Sequence, residues 1–142
     1  MNTTLVAQPE KSTPNLWISG LLSGAIALIG VLVLFGIARL LDVPLQVAGG
    51  PPGQSPLIPM AVRQIFVALL IPALAATVLY ALLRRIFKGR ANRIFQVVAL
   101  IALLLSFGGP LSLAVSAVNK IFLVLMHLVT AAAIVWALAL RK

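Results

Sequence analysis

Four long apolar segments, at residues 16–41, 57–83, 94–118 and 121–140, fill most of this 142-residue chain. A helix needs about 20 apolar residues to cross a hydrocarbon core of about 30 Å, and each segment is near or above that length. Charged residues stand almost entirely between and beyond the segments and make up only 9% of the chain. The pattern predicts an all-α fold, a four-helix transmembrane bundle formed by a single domain (residues 16–142) embedded in a lipid bilayer.

The basic residues predict how this bundle is oriented. Lys and Arg accumulate on the cytoplasmic side of membrane spans, and residues 84–93 carry five of them. A cytoplasmic position for this connection places both termini in the cytoplasm, with eight basic residues inside and three outside: Arg39, Arg63 and Lys120. The net charge of +9 flanks the spans and forms no aromatic-rich basic face, which argues against nucleic-acid binding.

Residues 1–15 are polar and contain two prolines, which predicts a disordered tail. The apolar segment that follows is much longer than the core of a signal peptide, so we interpret it as a retained span. Asn15 is placed to cap the first helical turn, and Trp17 to lie at the membrane interface.

The chemistry available to the chain is narrow. It has no cysteine, one histidine and two carboxylates, Glu10 and Asp42. This set leaves no thiolate or multi-histidine metal site, no carboxylate pair and no convincing nucleophile with its base. We therefore predict no catalytic residue, no metal and no cofactor.

The connection from Asp42 to Pro59 contains five prolines and three glycines. Such a composition cannot form a regular helix. The connection is either a surface loop or a cap over the mouth of the bundle, and its apolar residues, such as Leu45 and Val47, are compatible with the cap.

A stripe of small residues marks the first segment. Gly20, Gly24 and Ala27 recur at helical spacing, and small residues allow two helices to approach closely where lipid supplies no hydrophobic drive between them. This face serves either packing within the chain or a homodimer.

The third segment contains Gly108-Gly109-Pro110. Pro110 removes one helical hydrogen bond and leaves the Ser106 carbonyl without its helical partner, so we predict that the third helix is broken here. Broken helices line ligand sites in some transporters, and in other proteins they only fit a curved bundle.

His127 is the only histidine and lies well inside the fourth segment, about 9 Å from its outer end at 1.5 Å per residue. A tight turn at Asn119-Lys120 would place it level with Ser112. We predict that its ring faces the third helix and bonds to Ser112 or to the backbone near Gly109. It is then a polar tie between helices, or alternatively a ligand-contacting or proton-responsive group, since ionisable residues inside membranes are functional candidates.

Four polar residues, Arg39, Asp42, Arg63 and Gln64, fall at the predicted outer boundary. Arg39 and Asp42 are three residues apart and can pair on one helix face. The arginines either extend to lipid headgroups or form, together with His127 and the proline-rich connection, a pocket for an anion or a lipid headgroup.

Two short motifs, Ser-Phe-Gly-Gly-Pro-Leu at residues 106–111 and the pair Met126-His127, accompany the proline-rich first connection and the basic loop. In these features the chain resembles an uncharacterised family of small four-span bacterial membrane proteins, a domain of unknown function. The resemblance covers residues 16–140 and implies a multi-pass protein of the bacterial cytoplasmic membrane. It implies no activity.

Two functions remain open. The chain is either a structural or accessory subunit that docks a membrane protein or a second copy of itself, or a binding or transport module for a lipid-like or anionic ligand. The scarcity of carboxylates within the spans argues against a proton- or cation-coupled carrier and favours the subunit. A wet cavity joining Arg39, Arg63 and His127 would favour the binding module, and a packed interior the subunit.

Overall fold

The computed structural model describes residues 15–50 and 56–140, which are mostly helical. Of the predicted disordered tail only Asn15 lies within the described residues, and Arg141 and Lys142 lie outside them. The elements in chain order are α1 (Leu16–Leu40), β1 (Gln46–Ala48), β2 (Leu57–Pro59), α2 (Val62–Phe87), α3 (Ala91–Ser106), α4 (Gly108–Ser112) and α5 (Ala117–Val135). A 3-10 turn, Lys88–Arg90, joins α2 to α3, and a π-helical turn, Trp136–Leu140, continues α5.

In the part of the chain that the structure describes, three helical stretches are long and apolar enough to cross a membrane: Leu16–Leu40, Val62–Ser112 and Ala117–Leu140. The second is a run of 51 residues that reverses direction near Lys88, whose φ is 37°. The rings of Tyr80 and Phe95 have centroids 5.0 Å apart, whereas 15 residues of straight helix would separate them by about 22 Å. The run therefore contains both the second and the third predicted segment, folded against each other.

Helix α1 packs against both α2 and α5. At its start the Asn15 side chain accepts the Trp17 N–H at 3.1 Å, which confirms the predicted cap. At its end Asp42 takes a φ of 53°, and the Val43 N–H donates to the Ala38 carbonyl at 2.9 Å. A left-handed residue followed by this bond is a common way to end a helix, so the backbone of Asp42 has a structural role.

Small residues bring α1 close to α2. A Cβ added to Gly20 would lie 2.5 Å from the Thr77 Oγ1, and one added to Gly24 would lie 4.0 Å from the Ala73 Cβ. Ala27 is only 1% exposed and belongs to the core cluster. The structure thus places these three residues of the small-residue stripe at contacts within the chain.

The connection after α1 is a β-hairpin, in which Val47 pairs with Ile58 in antiparallel register. Leu45, just before it, is 5% exposed and joins the core formed by α1, α2 and α5. The Met60 N–H donates to the Leu45 carbonyl at 2.8 Å, which closes the base of the hairpin. The hairpin is packed onto the bundle, and the predicted start of the second span at residue 57 is wrong because α2 begins at Val62.

The boundary between the third and fourth predicted segments is also wrong. The helical run ends at Ser112, Leu113 has an extended ψ of 141°, and α5 begins at Ala117. The turn therefore occupies residues 113–116, not Asn119-Lys120. The reason is a helix cap, since the Ser116 Oγ accepts the Asn119 N–H at 3.2 Å.

Phe107 separates α3 from α4, next to the predicted break at residues 108–110. Its φ of −68° and ψ of −21° stay in the right-handed helical region, and the Leu111 N–H donates to its carbonyl at 3.0 Å. A bend caused by Pro110 stays a prediction.

Candidate binding crevice

A cavity of about 460 Å³ lies between α2, α3 and α5, and we call it the crevice. Its walls are almost entirely apolar, and small side chains leave the space open. Six alanines line it: Ala68, Ala75 and Ala76 of α2, Ala99 and Ala102 of α3, and Ala131 of α5.

The crevice is long, narrow and open on one side. Its lining extends along α2 from Ile65 to Leu79, which is about 21 Å at 1.5 Å per residue. Ala68, Ala75 and Ala102 are exposed although they line it. An occupant can therefore enter sideways, from the surface that a membrane would cover with lipid.

The end of the crevice nearest the basic turn is closed by a hydrogen-bonded contact among three elements. The Tyr80 hydroxyl of α2 donates to the Asn92 Oδ1 of α3 at 2.6 Å, and the Asn92 Nδ2 donates to the Ala139 carbonyl at 3.1 Å. Phe95 packs on the Tyr80 ring and forms part of the crevice lining. The helices α2 and α3 are thus fixed together at this end.

His127 lines the crevice and is half-buried. Its Nδ1 lies 2.7 Å from the Leu123 carbonyl oxygen, within its own helix. The predicted tie to Ser112 or to the backbone near Gly109 is not formed, since Ser112 is exposed and its hydroxyl donates to the Gly109 carbonyl at 2.9 Å. Because a carbonyl only accepts, the Nδ1 donates, and in a neutral imidazole the Nε2 is then an acceptor.

The position of the turn explains why the predicted partner was wrong. With the turn at residues 113–116, antiparallel pairing places His127 level with Ala102 of α3, which also lines the crevice. The same correction moves His127 to about 15 Å from the start of α5. It therefore lies close to the middle of the stretch Ala117–Leu140.

Two hydroxyl groups share the crevice lining with His127. The Ser106 hydroxyl donates to the Leu103 carbonyl at 2.7 Å, and the Thr130 hydroxyl donates to the Met126 carbonyl at 2.8 Å. Both protons are committed to the residues' own helices, so each oxygen is left as an acceptor.

The other predicted ligand residues lie outside the crevice lining. Arg39, Asp42 and Arg63 are exposed, and the Gln64 Oε1 accepts the Ala61 N–H at 2.8 Å at the start of α2. The cavity therefore contains His127 without the two arginines. A role for these four residues in binding headgroups stays a prediction.

Asn119 has a role that the sequence reading missed. Its side chain is 1% exposed, and its amide makes two bonds to the backbone of Gln46 in β1, donating to the carbonyl at 3.1 Å and accepting the N–H at 3.4 Å. This pair fastens the hairpin to α5. Ser116 is a residue type that caps helices and marks the start of α5, but the sequence alone gives no sign of the contact between Asn119 and Gln46.

Residues 11–142 match DUF6069, a family of unknown function. The chain belongs to this family. The match confirms the resemblance to an uncharacterised family. No curated protein and no solved structure matches the chain.

The chemistry of this DUF6069 crevice is that of a binding site. Among the residues that the structure describes, His127 is the only titratable side chain in the crevice lining. Within residues 15–50 and 56–140, no group of three or more His, Cys, Asp or Glu side chains is placed to hold a metal ion. The crevice can hold an apolar chain and can accept hydrogen bonds from a polar group that the chain carries.

A second groove of similar volume follows the seam between α1 and α2, where Gly20 and Gly24 lack side chains. Its polar groups are the Trp17 indole and the Thr77 hydroxyl, whose proton goes to the Ala73 carbonyl at 2.7 Å. Since it has no histidine, we take the crevice between α2, α3 and α5 as the stronger candidate.

Proposed function

We propose that this DUF6069 protein is a four-span protein of the bacterial cytoplasmic membrane that binds a lipid-like molecule in the crevice. The observation that carries the proposal is the crevice itself, an apolar cavity of about 460 Å³ that opens sideways and has polar groups in its walls. Small-molecule sites typically measure about 300–1,000 Å³ and combine apolar walls with a few placed polar groups.

The length of the crevice suits a hydrocarbon chain, since its lining extends about 21 Å along α2.

The reversal at Lys88 supports the four-span topology. Helices α2 and α3 run in opposite directions from a turn flanked by Arg84, Arg85, Arg90 and Arg93, all exposed. Each helix then crosses the bilayer once, and the basic turn lies in the cytoplasm.

Photolabelling with a matched pair of variants tests the binding. The probe is a dodecyl chain carrying a diazirine, applied to the full chain in nanodiscs, with adducts mapped by mass spectrometry. Ala102→Phe places a ring in the crevice, and Ala132→Phe places the same ring on an exposed residue of α5 outside its lining. We expect adducts on crevice residues that Ala102→Phe abolishes and Ala132→Phe preserves. Adducts spread over all exposed helix faces and indifferent to Ala102→Phe would contradict the proposal.

Single-cysteine labelling tests the topology, because the chain has no cysteine of its own. A Cβ added to Gly89 would meet no other atom within 4 Å, and Gly50 is exposed at the hairpin. A membrane-impermeant maleimide should label Gly50→Cys in intact cells and Gly89→Cys only after permeabilisation. Labelling of both from the same side would exclude four spans.

An accessory subunit is the second candidate, and the exposure of α3 favours it. Only Ala91 and Phe95 of this helix are buried, and Leu105 is 75% exposed. If α3 docks a second copy, oxidation of Leu105→Cys in membranes should give a disulfide-linked dimer, and Leu21→Cys on α1, 77% exposed, should not. Equal or absent cross-linking would argue against this face.

A further inference from the structure

Two prolines leave the backbone carbonyls of two crevice-lining residues without a helical donor. Proline has no N–H, so Pro72 gives the Ala68 carbonyl no helical donor, and Pro110 does the same to the Ser106 carbonyl. Ala68 and Pro72 belong to α2 and Ser106 to α3, and all three line the crevice. Inside hydrocarbon a carbonyl without a donor is unfavourable by several kcal/mol, so each favours an occupant that supplies one.

These acceptors lie at a depth close to that of His127. The turn at residues 113–116 sets α3 against α5, and the contact between the Tyr80 and Phe95 rings sets α2 against α3. In these registers Ala68 is nearly level with Ser106, and both lie about 6 Å from the level of His127 along the bundle.

The remaining polar groups of the lining add acceptors as well. The Ser106 and Thr130 hydroxyls donate to carbonyls of their own helices, and so does the His127 Nδ1. Among the residues the structure describes, the side chains lining the crevice therefore have every N–H and O–H committed, while the oxygens and the His127 Nε2 can still accept.

We infer that the crevice selects a single-chain molecule that carries a neutral hydrogen-bond donor, a hydroxyl, which lies between Ala68, Ser106 and His127. The inference rests on the proposed binding function and names its ligand class. The apolar lining continues from His127 to Phe95 and Leu79, a further ~10–15 Å at the rise of a helix, which accommodates the hydrocarbon chain.

An ionic ligand would find no charged partner among the described residues of the crevice lining. Among the side chains that the structure describes, no Asp or Glu lines the crevice to balance an ammonium group, and no Lys or Arg lines it to balance a carboxylate or phosphate. Burying an unpaired ion at this depth is far less favourable than burying a hydroxyl that finds its acceptors.

The single histidine provides the test. In chain labelled with ¹⁵N-histidine, every ring signal belongs to His127. The full chain in nanodiscs is titrated with 1-dodecanol and, separately, with 1-methoxydodecane, which has a similar chain and no donor. We expect dodecanol to shift the Nε2 resonance saturably and to displace the diazirine probe at about fivefold lower concentration than the ether, the factor that one net hydrogen bond provides.

Three variants sharpen the result. His127→Phe keeps a ring of similar size without an acceptor, and His127→Gln keeps an acceptor and controls for folding. Pro72→Ala returns an N–H to the Ala68 carbonyl. His127→Phe and Pro72→Ala should each reduce the preference for dodecanol over the ether, while His127→Gln retains it.

The outcomes separate this inference from the proposal beneath it. Equal displacement by alcohol and ether, with no change at the Nε2, would overturn the hydroxyl selection and leave chain binding intact. Failure of both compounds, together with diazirine adducts that ignore Ala102→Phe, would overturn the binding function too.

Discussion

The small residues of α2 make a direct contact with α1 beside the groove of that seam, whereas those that face α3 line the crevice. On the face toward α1 the contact is direct, since a Cβ on Gly20 would lie 2.5 Å from the Thr77 Oγ1. On the face toward α3, Ala68 and Ala75 line an open crevice and remain exposed. Small residues permit two helices to touch, but they do not bring them together.

The difference follows from how the partner helices are held. Helix α1 packs against both α2 and α5 and has six buried residues spread from Ser19 to Ala38, whereas α3 has only Ala91 and Phe95 buried, both at its start. Beyond its far end, α4 is tied to α5 by the Lys120 Nζ, which donates to the Leu111 carbonyl at 3.0 Å. Lipid supplies no hydrophobic drive to close the middle, so the space between the fixed ends persists.

The largest loss of stability should come from crowding the contact between α1 and α2 at Gly20. Gly20→Val places branched carbons against Thr77 and should destabilise the fold by about 2–3 kcal/mol, as overpacking does in tight cores. Gly36→Val is the matched control because a Cβ at Gly36 meets nothing within 4 Å. Thermal unfolding in detergent compares the two variants, and equal melting temperatures would show that α1 and α2 are not in close contact at Gly20.

A smaller loss should follow from freeing the hairpin. Asn119→Leu removes both hydrogen bonds between the Asn119 side chain and the backbone of Gln46. The N–H and carbonyl of Gln46 are then left without these partners, which should lower the free energy of unfolding by about 2 kcal/mol. Ser116→Ala, which removes only the cap of α5, should cost about 1 kcal/mol. Proteolysis between β1 and β2 should accelerate in Asn119→Leu and not in Ser116→Ala. Unchanged proteolysis would mean that Leu45 and the strand pairing suffice to hold the hairpin.

A still smaller loss of stability should follow from weakening the contact between Tyr80 and Asn92 at the closed end of the crevice. Tyr80→Phe removes the hydroxyl bond to Asn92 and keeps the aromatic contact with Phe95, so we expect a loss of about 1 kcal/mol. Hydrogen exchange should increase at the backbone of residues 88–95 and stay constant in α1. A uniform increase in exchange across the chain would indicate that the Tyr80–Asn92 hydrogen bond stabilises the whole fold and not only the end of the crevice.

Composition and apolar length were enough to predict a helical membrane protein, and the Asn15 cap was readable from one side chain. The turn before α5 was not found because residues 113–118 are nearly as apolar as a span, so hydropathy gave no boundary there. The structure places the boundary at the Ser116 cap, where a side-chain oxygen replaces the missing helical acceptor.

The position of that turn determines which residue of the neighbouring helix lies level with His127. Moving the turn changed the neighbour of His127 from Ser112 to Ala102, and the polar tie between helices became a bond to Leu123 within α5. The crevice could not be predicted from the sequence, because the sequence does not distinguish an alanine that lines a cavity from an alanine that contacts a neighbouring helix. The two prolines were visible in the sequence, but only the fold shows that Ala68 and Ser106 line one cavity.

The smallest effect should come from filling the open face. Ala102→Leu adds three carbons to a residue that is exposed and lines the crevice, and leucine is nearly as good a helix former as alanine, so we expect a change within about 0.5 kcal/mol. The measurement is again thermal unfolding, beside Gly20→Val. A loss as large as that of Gly20→Val would mean that α3 closes onto α2 in the membrane, so that no space exists for a chain. Tolerance of leucine at Ala102 combined with intolerance of valine at Gly20 would show that α2 is in close contact with α1 at Gly20 and leaves room toward α3 at Ala102, as the binding of a lipid-like molecule there requires.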